Sequence, residues 1–427
     1  MARTPCRREF IRPPMAPRKY RYFNMEHIAL NYPSTDRQRR FLALAEPLAR
    51  VFAERAAAHD ADGSFPHENF ADLRAAGLLA LTTPEEYGGL GANELEYVLT
   101  LERLAWGDAS TALALGMSLS NLGQIAEGGL WPQHAPALFR EVVEQGATLN
   151  AAQAEPEMGS PSYGGLPATT ATRDASTGGW RISGRKIYTT GAPGLRYFIV
   201  MATIQEEGQP PRIGDFLVPN DAPGLRIAET WDALALRASG SHDLILEDAA
   251  LPADALLSAR EPGQPDPRAA LGLPWGNLTL AAVYNGVALA ARDAAAHFAA
   301  TRVPTALGKP IGELPTVRLR LGEIESLLLA SRRVMYGLAA DWVAATPDAR
   351  AALRQESPLV KVIATTNAAR ITDIAMRLAG GHGLQRGPLE RLFRDARAGL
   401  VNNPVEDVVL QNAGKAAVDS AAKDASE

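Results

Sequence analysis

The run NAAQAEPEMGS at 150–160 is followed by a long polar loop and then by GGWRISGRKIYTTG at 178–191. Turn-rich segments flank short stretches of β character. Small residues and hydroxyls crowd together where something flat and polar could sit against the backbone. Further along, YFIVMATI (197–204), DFLVP (215–219), LRIAET (225–230) and DLILED (243–248) alternate at period two and are punctuated by Gly, Pro and Asp. ATTATR (168–173) belongs to the same set. The pattern predicts an antiparallel β-domain over 149–255, closed near Pro252.

Helical periodicity lies on both sides of it. Upstream, apolar residues at three- and four-residue steps predict a helix from Thr35 to about His59, with Pro47 inside it as a potential kink. Helices follow at about Glu68–Ala76, Glu94–Gly107, Ser110–Ile125 and Pro136–Gln145, giving an N-terminal helical domain over 31–148. The Ser110–Ile125 stretch carries almost no charge and must be buried. Downstream, 260–274 reads as a linker or surface loop. Long helices are expected at Leu278–Thr301, Leu314–Ala344 and Pro358–Ala379, then Leu389–Leu400 and Val405–Ala421, a C-terminal helical domain over 268–421. The fold class is therefore mainly α with a β insert, in the order helical, β, helical.

Composition bounds the function. At 427 residues with a net charge of -5, the chain gives no reason to expect nucleic acid as a partner. No apolar run reaches the roughly 18 residues of a membrane span, so no transmembrane segment is expected. Cys6 is the one cysteine, which argues against a disulfide framework, a cysteine-based zinc site and a thiol nucleophile; no metal is expected. A reducing cytoplasm suits this composition. The first 25 residues carry seven Lys/Arg and one acid, Glu9, without an apolar core, so they are no secretory signal. Residues 1–30 read as a disordered extension, or as sequence ahead of a true start at Met15 or Met25; a mitochondrial presequence is the alternative.

Six motifs then fall in an order that resembles the acyl-CoA dehydrogenase superfamily over about Thr35 to Ala421. They are YGGLG (87–91), NAAQAEPEMGS (150–160), GRKIYTTGA (184–192), LRASGSHDLILEDAALP (236–252), AGGHG (379–383) and ERLFRDARAG (390–399). The resemblance implies a flavin, FAD with FMN as the variant, held between the β-domain and the C-terminal helices. It implies a homo-oligomer, dimer or tetramer, in which the adenine end meets the Gly-rich turn of a neighbouring subunit. It also implies an acyl-CoA or other small-molecule substrate, and an electron-acceptor flavoprotein or a flavin reductase as partner.

Residue by residue, Thr190 matches the hydroxyl beside the reacting edge of the flavin, where donors stabilise the reduced ring. Tyr188 stands where the family usually has Trp against the isoalloxazine. Ser160 matches a Ser near substrate and flavin. Ala154 replaces the usual Thr, leaving the backbone N–H groups of Gln153 to Glu155 to serve, and Pro161 replaces the usual acid. Arg302 matches the Arg that faces the flavin pyrophosphate, suited to it by a bidentate guanidinium, although Gly308 lies two residues late. Gly380, Gly381 and Gly383 would let backbone approach an adenosine; a plain helix end is the other reading of that turn. His382 is either a ligand contact or an exposed turn residue. Arg237, Ser239 and Ser241 form a polar group near substrate, or a set of strand-start hydrogen bonds. His242 reads as a surface residue.

The family's reaction needs a carboxylate to take the α-proton of a thioester. Counting from Arg394-Asp395-Ala396, the usual Glu position falls on Asn403. The second known position falls in PWGNLTLAAV, on Gly276 and Asn277. Neither holds an acid. Glu406 and Asp407 are the nearest carboxylates, and both are ordinary helix-start acids as well. Three functions stay open at this level. The first is an FAD-dependent α,β-dehydrogenation of an acyl thioester. The second is a reduced-flavin-dependent monooxygenase, which needs a dry pocket and no such base. The third is a non-catalytic flavin- or acyl-binding protein.

Overall fold

The structure is a computed structural model and describes residues 32–157, 165–266 and 268–424. The expected extension 1–30 and Ser160 lie outside the described residues. Five helices open the chain: α1 (Asp36–Asp62), α2 (His67–Ala75), α3 (Glu94–Gly107), α4 (Ala109–Gly128) and α5 (Ala135–Gln145). Their ends are set by side chains. Thr35 and Gln38 form a capping box on α1, and Asn93 and Glu96 form one on α3. Asp108 accepts from the Thr111 N–H to start α4. Helix α1 runs through Pro47 without a break. Helix α4, almost uncharged, is buried along most of its length, as its composition requires.

The middle of the chain forms one eight-stranded sheet. Its strands are β1 (Leu149–Ala152), β2 (Thr170–Arg173), β3 (Trp180–Thr189), β4 (Tyr197–Ile204), β5 (Arg212–Pro219), β6 (Leu225–Ala228), β7 (His242–Leu251) and β8 (Leu256–Arg260). The order is β6-β7-β3-β2-β4-β5-β8, with β1 on β4. The sheet is not wholly antiparallel: β1 and β2 both pair with β4 in parallel. The polar loop after β1 leaves β1 and β4 far apart in sequence, which a parallel pairing requires. Trp180, Phe198 and Phe216 centre a separate apolar core here.

Five helices close the chain: α6 (Ala269–Thr301), α7 (Pro315–Ala344), α8 (Arg350–Ala379), α9 (Pro388–Val401) and α10 (Glu406–Asp424). Two expectations are corrected. The linker read at 260–274 is shorter: β8 ends at Arg260 and helix begins at Ala269, with Pro274 inside it. Helix α8 begins at Arg350 rather than Pro358. Pro358 cannot donate to the Arg354 carbonyl four residues back. The neighbouring Ser357 hydroxyl donates to that carbonyl instead, at 3.1 Å, and the helix continues.

One core joins both helical segments. Phe41, Phe52, Tyr97, Leu101, Val283, Tyr284, Met335, Ala368 and Ala396 all belong to it. The two groups of helices therefore bury one another, with the sheet set against them. Among the described residues, no helix is long and apolar enough to cross a membrane.

Candidate functional site

Strand β3 carries an irregularity between Lys186 and Thr189 where it pairs with β7. Tyr188 sits in it with a φ of 57°, a backbone region costly for a bulky residue. The distortion turns Tyr188 outward, 66% exposed, edge-on to Trp231 at 6.2 Å between ring centres. His242 fixes Trp231 from behind: its Nδ1 accepts from the Thr230 and Trp231 N–H groups, each at 3.1 Å. Burial pulls the His242 pKa down, and a ring that accepts at Nδ1 is held neutral at that nitrogen. His242 is thus half-buried support for the Tyr188–Trp231 pair, not a simple surface residue.

Thr190 follows and is held at its carbonyl and its hydroxyl. Its carbonyl accepts from Asn150 Nδ2 at 3.0 Å, and Asn150 Oδ1 accepts in turn from Asn121 Nδ2 of α4 at 3.4 Å. Its hydroxyl lies 3.0 Å from that of Ser241, which lies 2.8 Å from that of Ser239. The next residue, Gly191, donates its N–H to the Ser239 carbonyl at 2.8 Å. A chain of three hydroxyls thus forms a polar shelf between β3 and the turn before β7. Thr189 Oγ1 beside it is buried and has no partner among the described residues.

The loop after β1 is fixed on the same strand. The Ile187 N–H donates to the Ala154 carbonyl at 2.9 Å. Glu155 is wholly buried and accepts from Lys186 Nζ at 2.5 Å, Thr169 Oγ1 at 2.5 Å and the backbone N–H groups of Ala168 and Thr169. Burial raises the Glu155 pKa, but these bonds outweigh it and hold the carboxyl below its usual range. Burial acts on Lys186 in the opposite sense, and it stays below its usual range despite Glu155. Gln153 and Ala154, half-buried, ride on this anchor.

Arg237 does not join the hydroxyl shelf. Its guanidinium donates to the Asp60 carbonyl at 2.7 Å and the Ala233 carbonyl at 2.9 Å. Ser239, by contrast, stands inside the shelf. Asp60 also takes Arg394 of α9, at 2.6 Å, and Arg394 reaches the Leu234 carbonyl at 3.0 Å. Asp395 is buried next to it and accepts from the Leu236 N–H at 2.7 Å. Burial pushes the Asp395 carboxyl up to about 7 against that bond, with Asp108 and Asp60 adding to the rise. The three segments of the fold meet in this joint.

At the far end of the helices, Arg302 is the exposed C-cap of α6. Gly380 has a φ of 57° and ends α8. A methyl group on Gly380 or Gly381 would meet no atom of the described residues within 4 Å, so the turn has room for a close neighbour. Gly383 is tighter: a methyl group there would lie 3.1 Å from the Met376 carbonyl oxygen. His382 packs against Phe298 of α6, four residues before Arg302, at 5.5 Å between ring centres. Arg302 and the glycine turn are thereby brought to one end of the bundle.

Asn403 lies exposed in the short link between α9 and α10. Glu406 and Asp407 stand in the first turn of α10, Glu406 half-buried and Asp407 exposed. At the second family position, Asn277 is buried and donates to Ser357 Oγ at 2.9 Å, a strut between α6 and α8. Gly276 beside it would accept a methyl group with no described atom within 4 Å.

A helical–sheet–helical protein with a hydroxyl shelf on its sheet and a glycine turn at the end of its bundle is the class this geometry defines. Models of the acyl-CoA dehydrogenase N-terminal, middle and C-terminal domains match residues 35–135, 150–249 and 278–401. The chain is 40% identical over 386 residues to the putative acyl-CoA dehydrogenase YdbM of Bacillus subtilis, covering 90% of this chain and 98% of that protein. It is 33% identical to L-evernosamine nitrososynthase of a Micromonospora species, over 84% of this chain and 85% of that one. The structure of KijD3 with FMN and a dTDP-amino-keto sugar matches with a TM-score of 0.79 and 29% identity, over 91% of this chain and 95% of that one. This chain belongs to the acyl-CoA dehydrogenase superfamily.

Proposed function

We propose that the chain is a flavin-dependent oxidoreductase that works without a carboxylate base, using reduced flavin and dioxygen to oxygenate a small polar substrate. One observation carries this reading. Asn403 at one position, and Gly276 with Asn277 at the other, stand where the resemblance puts an acid, and neither a carboxamide nor a glycine can take a proton. The likeness to a nitrososynthase and to KijD3 supports it.

The hydroxyl shelf fits a flavin's polar edge. Thr190 is held at its carbonyl and its hydroxyl, and the orphaned Thr189 Oγ1 leaves a buried polar atom for a ligand to satisfy. Tyr188 and Trp231 offer an aromatic wall. Gln153 and Ala154 would add backbone contacts. Arg302 with Gly380, Gly381 and Gly383 would take the diphosphate and adenosine end, which favours FAD over FMN and a dimer or tetramer in which one subunit completes another's site. Ser160 and Ser239 would line the substrate side; Arg237 would act there only by holding its turn. When bound, the reduced flavin supplies two electrons to dioxygen, so that one oxygen atom enters the substrate and the other leaves as water. A flavin reductase in the cytoplasm would furnish it.

A second reading, dehydrogenation of an acyl thioester passing electrons to an acceptor flavoprotein, draws support from Glu406. It opens α10, directly after the link that carries Asn403, and lies near enough to Lys361 of α8 to raise that residue's pKa. One pair of assays separates the readings. FAD-loaded protein is titrated without oxygen with acyl-CoAs of graded length while the oxidised-flavin band is followed. It is then chemically reduced and mixed with dioxygen, and peroxide release is compared with and without candidate amino sugars. The expected result is no bleaching by any acyl-CoA, and peroxide release that one class of amine suppresses in favour of an oxygenated product. Bleaching by an acyl-CoA, lost in Glu406→Ala or Asp407→Ala, would overturn it in favour of dehydrogenation. Bound flavin inert in both assays would leave a binding protein.

A further inference from the structure

Lys361 sits in the middle of α8, completely buried, on the same helix face as Ala364 and Ala368. A lysine there is unusual, because a buried ammonium must find partners for all its protons. Lys361 Nζ finds three: the carbonyls of Gly399 at 2.9 Å, Asn402 at 2.8 Å and Pro404 at 3.1 Å. The last two flank Asn403. A fourth bond reaches the link from another helix, since the buried Tyr284 hydroxyl of α6 donates to Asn402 Oδ1 at 2.5 Å. Close approach is built in at Gly399, where a methyl group would lie 2.9 Å from Thr365 Cγ2 and 3.1 Å from Tyr284 Cδ1.

We propose that Lys361 is a positioning residue: by fixing the backbone on both sides of Asn403, it holds the Asn403 carboxamide at the reacting place while leaving that side chain free. The assignment of Asn403 to the site rests on the function proposed above; the clamp itself does not. A lysine that merely capped α9 would need only the Gly399 carbonyl, and could reach it from solvent with its stem exposed. Here the ammonium is taken out of water, and two of its three bonds go beyond the helix end. Burial pulls Lys361 down to about 8 while Glu406 opposes the fall, so near neutral pH the group is mainly charged and has three protons to give. Tyr284 secures the side chain of Asn402, which leaves Asn403 as the residue of the link that is pinned at its neighbours and open at its tip.

The test uses the FAD-loaded full-length protein and the variants Lys361→Met, Tyr284→Phe, Asn403→Ala and Lys361→Met/Asn403→Ala. Backbone amide exchange, followed by mass spectrometry, is compared between peptides over 399–405 and peptides of α6. Stopped-flow absorbance follows reoxidation of the reduced protein by dioxygen. In Lys361→Met, exchange over 399–405 is expected to rise about tenfold with α6 unchanged, and Tyr284→Phe should move the same peptides less. Reoxidation should change about fivefold in Lys361→Met and in Asn403→Ala, and no further in the double variant, since one residue acts through the other. Unchanged exchange over 399–405, an equal rise in α6, or losses that multiply in the double variant would overturn the proposal. If Lys361→Met does not fold, Tyr284→Phe and its double variant with Asn403→Ala decide by the same criteria. Should reoxidation in the parent be no faster than that of free flavin, the function proposed above fails while the exchange data still decide the clamp.

Discussion

Ser241 touches Thr190 on one side and Ser239 on the other, so it sets which way the Thr190 hydroxyl can point. Ser241→Ala removes both hydroxyl–hydroxyl bonds, and loss of the one that orients Thr190 is worth about 1 kcal/mol, or roughly a fivefold change in an equilibrium. FAD affinity, read by fluorescence quenching on titration, is expected to weaken about fivefold. An unchanged affinity in both Ser241→Ala and Thr190→Ala would remove the shelf from the flavin site. Thr190 could be nominated from the sequence because GRKIYTTGA carries a spacing that can be matched, and its flavin role is part of the function proposed above. Lys186 and Glu155 were not, since a lysine in an alternating strand and an acid in a loop ordinarily face water. Lys361 left a fainter signal. In PLVKVIATTNAA it stands three and seven residues before Ala364 and Ala368, on the apolar face of a helix, where a charge asks for an explanation.

Helix α9 is tied to the turn before β7 by Asp395, and this joint has a pH dependence whose sign follows from burial. An unfolded Asp titrates near 3.9, and the folded carboxyl near 7. The folded state therefore binds the proton more tightly. Its contribution is present in full below about pH 4 and is lost as pH rises through about 7. Asp395→Asn keeps an oxygen for the Leu236 N–H and carries no charge to bury. Its melting temperature is expected to lie within about 2 °C of the parent at pH 5 and above it at pH 8. A variant less stable at pH 8 than at pH 5, relative to the parent, would show that the carboxylate itself is needed. Helices and strands were the most readable level of this chain, and the misses are local. The expected helix started at Pro358 and the expected linker ran to Pro274, yet α8 passes the first with help from the Ser357 hydroxyl and α6 contains the second. Sequence period says nothing of a neighbouring hydroxyl's rotamer. The parallel pairing of β1 with β4 was equally out of reach, because it depends on which strand lies beside which.

Across the whole molecule, Arg394 binds Asp60 from α1, the Leu234 carbonyl from the β-domain and Glu390 of its own helix. Both Arg394 and Asp60 are mostly buried. Removing one partner of such a pair costs on the order of 3 kcal/mol. Arg394→Ala is expected to lose about that much in urea titration, with tryptophan fluorescence and far-ultraviolet circular dichroism no longer coinciding as the segments come apart. Coincident transitions and a loss below about 1 kcal/mol would show that the shared apolar core alone holds the three segments together. The order of those segments could be read from the chain; this joint could not, because its members are up to 334 residues apart.

Gly276 has a meaning beyond the proposed absence of a carboxylate base. It lies in a helix, where glycine costs about 1 kcal/mol relative to alanine, and a methyl group there would displace no described atom. The first carbon of a larger side chain would therefore meet no described atom at this position. On the function proposed above, the kind of reaction is then a replaceable attachment to a framework that the presence or absence of one side chain leaves unchanged.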